Sequence, residues 1–161
     1  MRSIKIISKS LFLLSFFCFV NLAYSQTDDE LIKKEKEEIR VSYMNYLYEQ
    51  GYKPEVDSDG DIKFKVEGKS FFLMVKNKRI FTLMRYLNFE DSCSDKMKET
   101  INQTTKGYYN LTITYTKNCK GVIFSSRSFV SDPDDWHDFF NISLNSIKGS
   151  IDDAIEYYFD E

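Results

Sequence analysis

The chain has 161 residues, of which 22 are basic and 25 acidic, and its formal net charge is −3. A chain of this length suits one domain with a sizeable core. Because nucleic-acid phosphates and anionic bilayers attract basic surfaces, the acidic balance argues against binding to either.

The first 25 residues have the pattern of a secretory signal peptide. Three basic residues among the first nine precede an apolar run from Leu11 to Val20. Ala23 and Ser25 then place small residues at the −3 and −1 positions of a cut before Gln26. The run is too short to span a membrane, and no second long apolar run follows. We therefore expect residues 26–161 to form a single exported domain, periplasmic or secreted, with no membrane span.

The exported part begins with a predicted helix over residues 28–50. Apolar residues recur at Ile32, Ile39, Tyr43 and Leu47, and these spacings place them on one helical face. Gly51 suits the end of this helix, because glycine adopts the left-handed conformation that follows a last helical turn.

Four short strands joined by tight turns are predicted next. Residues 52–57 form the weakest, and Pro54 marks it as an edge strand. Residues 62–66 alternate apolar and charged side chains, which is typical of a strand with one exposed face. Residues 70–76 and 79–87 are apolar on both faces. Tight turns between the strands predict an antiparallel meander.

Alternating acidic residues from Glu55 to Asp61, around Gly60, resemble part of a calcium-binding loop. The twelfth position is Val66 instead of the chelating glutamate, and a strand follows instead of a helix. We therefore interpret the segment as a structural hairpin and predict no metal or other cofactor. A weak divalent-cation site stays open as an alternative.

A second helix, a hairpin and a third helix complete the predicted order. The second helix covers residues 91–106, with Ser92 or Ser94 as its cap and Gly107 at its end. Strands follow over residues 111–116 and 122–130. The third helix has Asp132 as its N-cap and Pro133 at its first helical position, and its apolar stripe runs from Trp136 to Tyr158. The expected fold is therefore α+β, a twisted antiparallel sheet with helices packed on one face, in the order α-β-β-β-β-α-β-β-α.

Cys93 and Cys119 remain after the signal peptide is removed, and an even pair in an oxidising compartment favours a disulfide. The second helix extends about 20 Å at 1.5 Å per residue. The following strand returns about 30 Å, which brings Cys119 back past the start of that helix. Two separate buried thiols are the alternative.

The stretch from Tyr46 to Val75 combines a helix that ends at Gly51, an Asp59-Gly60 hairpin, a Glu67-Gly68 turn and an apolar strand. This stretch resembles the YbjN family and the class I type III secretion chaperones. The resemblance implies an α/β sandwich, often dimeric, whose helices cover one face of an antiparallel sheet. Members of these families bind unfolded segments of partner proteins or have no assigned biochemical role, so the resemblance implies a binding role of this kind.

The apolar strands predict a partner-binding surface that contains Phe71, Phe72, Met74, Phe81 and Leu83. Alternation separates Phe71 from Phe72 and Met74 on the two faces of the sheet. If helices cover one face, the other exposes an apolar patch, and such patches mark interfaces. The partner would be a protein, a peptide or a second copy of the chain in a homodimer. The alternative is that the chain itself covers both faces.

Catalysis has little support in the sequence. His137 is the single histidine and has no nucleophile motif to serve. We therefore predict a non-enzymatic, exported binding module. A periplasmic inhibitor or immunity-type protein is the alternative, and a small hydrolase is the third hypothesis.

Overall fold

The structure is a computed structural model that describes residues 28–132 and 134–159. The chain divides into two units, Met1–Glu37 and Glu38–Glu161. In the first unit, residues 28–37 are helical and mostly exposed. The predicted signal peptide lies outside the described residues, as does Pro133.

The elements follow the predicted order. Helix α1 covers residues 28–49, and it precedes the strands β1 (Glu55–Val56), β2 (Ile62–Val66), β3 (Lys69–Leu73) and β4 (Ile80–Asn88). Helix α2 (Asp95–Lys106), strands β5 (Leu111–Tyr115) and β6 (Gly121–Phe129), and helix α3 (Trp136–Phe159) complete the chain. The predicted α+β class and the order α-β-β-β-β-α-β-β-α are confirmed. No helix in the described part of the chain has the length and apolar character needed to cross a membrane.

The six strands form one antiparallel sheet in the order β1-β2-β3-β4-β6-β5. Strands β2 and β3 are joined by Glu67 and Gly68, which both have positive φ, 52° and 78°. Two consecutive residues with positive φ are the geometry of a type I′ turn, whose twist matches that of paired strands. Strand β6 pairs with β4 along its full length, so the β5–β6 hairpin extends the sheet with β5 at its edge.

The core lies between one face of the sheet and the helices. Phe81 and Leu83 of β4 and Phe124 of β6 are completely or almost completely buried. The rings of Tyr43 on α1 and Trp136 on α3 lie 4.5 Å apart, and each also contacts the ring of Phe81. Helix α2 packs against α3 and β5. The helical residues of the second unit therefore cover the same side of the sheet.

The start of α2 differs from the prediction by four residues. Ser94, not Ser92, is the N-cap, and its Oγ accepts a hydrogen bond from the backbone N–H of Met97 at 3.2 Å. Ser92 is buried, and its Oγ accepts a hydrogen bond from the N–H of Gly121 at 3.1 Å. The side chain that was a candidate cap therefore ties the segment before α2 to strand β6.

Candidate functional site

The side chains that alternate with the core residues of the sheet form a second surface, which we call the open face. Phe71 is 1% exposed and points toward the helices, so its neighbour Phe72 lies on the opposite side. The same alternation places Met84 and Tyr86 of β4 and Ile123 of β6 beside Phe72 on the open face. The helical residues after Glu37 pack on the other side of the sheet.

An open depression of about 390 Å³ lies on the open face. The residues that line it are Lys69, Ser70, Phe72, Met84, Arg85, Tyr86 and Ile123. Phe72, Met84 and Ile123 are half-buried there. The depression can accommodate apolar side chains from another chain.

Basic side chains surround this apolar centre. Lys63 forms an ion pair with Glu55 at 2.8 Å, and its hydrogen bond and charge lower the pKa of the Glu55 carboxyl. Lys65 and Arg127 are exposed and share the open face by the alternation of β2 and β6. Lys63 is neutralised by Glu55, but Lys65 and Arg127 add positive charge to a face whose depression is also lined by Lys69 and Arg85, on a chain whose net charge is −3.

The five residues of the predicted partner surface are divided between the two faces. Phe71, Phe81 and Leu83 are buried in the core beneath the helices, so they are not part of a partner-binding surface. Phe72 and Met74 are half-buried and lie on the other side.

The sequence prediction included only Phe72 among the residues that line the depression. Three of the residues it left out, Met84, Tyr86 and Ile123, lie on the open face by alternation. Their alternation with Leu83, Arg85 and Phe124 was a usable signal. It could not show which of two apolar faces the helices would cover.

Cys93 and Cys119 form the predicted disulfide, with Cα atoms 5.3 Å apart. The bond joins the segment before α2 to the turn between β5 and β6. Cys119 has a positive φ of 55° in that turn. The returning strand therefore brings the two thiols together, as the element lengths indicated.

The acidic loop after β1 binds its own backbone. The Asp57 Oδ1 atom accepts hydrogen bonds from the N–H groups of Asp59 and Asp61, at 2.9 and 3.0 Å. The Asp61 Oδ1 atom accepts one from the N–H of Val75 at 2.7 Å. Arg40 on α1 donates to the carbonyl of Gly60 at 3.2 Å. These contacts give the carboxylates a structural role in the hairpin.

The imidazole of His137 is exposed at the first turn of α3 and stacks on the ring of Tyr46, with centroids 4.6 Å apart. Among residues 28–132 and 134–159, no group of three or more histidine, cysteine or acidic side chains is arranged to hold a metal ion.

No known protein family and no curated protein matches this chain by sequence. Its fold is similar to that of YbjN from E. coli, which is described as a proposed transcription regulator. The TM-score is 0.53 and the sequence identity is 10%, over 70% of this chain and 87% of YbjN. An uncharacterised protein from Methanothermobacter thermautotrophicus has a TM-score of 0.51 and 8% identity, over 74% of this chain and 99% of that protein.

The Yersinia pestis type III secretion chaperone SycH, solved in complex with a stable fragment of YscM2, has a TM-score of 0.46 and 12% identity, over 70% of this chain and 93% of SycH. At identities this low, the similarities concern the fold alone. The predicted YbjN-like fold is confirmed.

Proposed function

We propose that this chain is an exported, non-enzymatic binding module whose open face receives a protein or peptide partner. The observation that carries the proposal is the apolar depression around Phe72, Met84 and Ile123, on a side of the sheet that the helices after Glu37 do not cover. Apolar surface that a domain leaves uncovered is typical of an interaction site. The polar rim around an apolar centre is the usual anatomy of such a site.

Charge narrows the chemistry of the partner. Lys65 and Arg127 make the open face basic, whereas the whole chain is acidic. A partner segment with acidic residues around an apolar centre would therefore be complementary to it. Two copies joined face to face would bring these like charges together, so we favour a different protein over a homodimer through this face.

Export is supported by the signal pattern before Gln26 and by the Cys93–Cys119 disulfide. Disulfides persist in oxidising compartments and are rare in the cytosol. Mass spectrometry of protein recovered from its native cells should find Gln26 at the amino terminus. An intact Met1 in the functional protein would contradict export by this signal.

The partner surface is tested by placing a charge in the depression. Met84→Lys should weaken the affinity of a purified partner at least tenfold, which is about 1.4 kcal/mol. Asn102→Lys adds the same charge on the exposed side of α2 and should leave the affinity unchanged. The partner is first identified among the proteins that copurify with the wild-type chain, and its affinity is then measured with each purified variant.

Equal affinities for the wild-type chain and Met84→Lys, with both variants folded by their urea midpoints, would exclude the open face as the binding surface. Light scattering of the purified chain adds a separate control. A dimer that Met84→Lys dissociates would identify the partner as a second copy.

A further inference from the structure

Strands β3 and β4 separate before their ends. Their register contains only Phe72 with Met84 and Leu73 with Leu83. The N–H of Met74 also donates to the carbonyl of Thr82 at 3.0 Å. Hydrogen-bonded pairs alternate along antiparallel strands, so Ser70 and Tyr86 would form the next hydrogen-bonded pair. The observed register does not include that pair. The backbone ladder between these two strands therefore stops at Phe72 and Met84, and we call the unpaired stretch beyond that pair the gap.

Arg85 lies beside this gap and is only 8% exposed. Its guanidinium carbon is 5.4 Å from the centroid of the Phe71 ring, on the helix-covered side. No hydrogen bond or ion pair links its guanidinium to another residue within the described part of the chain. Burial lowers the pKa of Arg85, while the charge of Asp152 acts in the opposite direction. An arginine nevertheless stays protonated in proteins, so the guanidinium donors of Arg85 are available to an anionic ligand.

A polar cavity of about 60 Å³ lies against Arg85. Its polar lining residues are Glu67, Lys69, Arg85, Lys148 and Asp152. Glu67 and Lys148 form an ion pair at 2.7 Å and neutralise each other. Lys69 and Arg85 then face one carboxylate, that of Asp152, so the cavity has an excess positive charge. Lys69 and Arg85 also line the depression on the open face.

We propose that this cavity is a carboxylate-binding site in which the Arg85 guanidinium is the principal donor. A planar guanidinium binds a carboxylate through two parallel hydrogen bonds, a geometry that a spherical anion cannot use. The cavity offers roughly four to six times the space that one water molecule needs, which suits a single carboxylate group. The carboxylate belongs either to a small free acid or to an acidic side chain of a partner that reaches the gap from the open face.

Isothermal titration of the purified protein with sodium acetate, at constant ionic strength, tests the site. Acetate should bind the wild-type chain, and Arg85→Met should lose at least tenfold in affinity. Asp152→Asn keeps Arg85 and removes the competing carboxylate, so it should bind acetate several-fold more tightly. Glu156→Gln makes the same change of charge one turn further along α3 and should match the wild type.

Asp152→Asn keeps the test decisive even if Arg85→Met does not fold, because Asp152 is exposed. Absence of acetate binding in both the wild type and Asp152→Asn would overturn the proposal, as would equal affinities for the wild type and a folded Arg85→Met. Blocked glutamate and blocked glutamine then distinguish the sources. Tighter binding of blocked glutamate than of acetate, with none of blocked glutamine, assigns the site to an acidic side chain, whereas tighter binding of acetate assigns it to a free acid.

Discussion

Reduction of the Cys93–Cys119 disulfide should lower the free energy of unfolding of the protein strongly. The bond closes a loop between residues 26 positions apart. Loop-closure entropy assigns such a crosslink about 3.5 kcal/mol of stability, because it restricts the unfolded chain. Domains of this size have a free energy of unfolding of about 5–15 kcal/mol, so the loss would be a large fraction of the total.

Urea unfolding of the oxidised and reduced protein measures this difference. With a slope of about 2 kcal/mol per molar urea, reduction should lower the unfolding midpoint by about 1.8 M. The double variant Cys93→Ala/Cys119→Ala should resemble the reduced protein and should not respond to reductant. Identical midpoints before and after reduction would refute the reasoning. Two reactive thiols in the unfolded, unreduced protein would show that the bond does not form.

Three further predictions follow from local contacts. Thr82→Val should raise the free energy of unfolding, measured with urea, by about 1 kcal/mol. The reason is that the buried Thr82 Oγ1 atom has no hydrogen-bond partner among the described residues. A lower stability of the variant would contradict this. Gly121→Ala should lower the free energy of unfolding by about 1–3 kcal/mol, because an added Cβ would lie 2.5 Å from the carbonyl oxygen of Leu87. An unchanged urea midpoint would show that the strands adjust freely. Burial and a 2.8 Å hydrogen bond to Asp153 raise the pKa of Tyr108 to about 12, above the usual value of about 10. The contribution of Tyr108 to the free energy of unfolding should therefore be complete below pH 10 and should be lost as the pH rises toward 12. Tyr108→Phe should show a smaller fall in the same pH series, and parallel curves for the two proteins would exclude this role.

The site could be predicted from the sequence only in part. Alternation within residues 70–76 separated Phe71 from Phe72 correctly. It did not indicate which of them faces the helices, because both sides of the strand are apolar. The helices cover the side of Phe71 and Phe81, so three of the five predicted surface residues became core.

The arginine cavity had a weaker signal in the sequence. Arg85 shares its face of β4 with Phe81 and Leu83, so alternation alone places it among core residues. The strand gap beside it depends on where the register of β3 and β4 stops. That point is decided by contacts between distant segments, and no local pattern reports it.

The order of the elements was already determined by the sequence, because turn residues and apolar periodicity act over a few neighbouring positions. The disulfide was accessible for a related reason, since the lengths of one helix and one strand set the distance between the two cysteines. The exposed face and the gap between β3 and β4 were decided only by the tertiary structure. Both depend on how the helices and strands pack together, and that packing involves residues far apart in the chain.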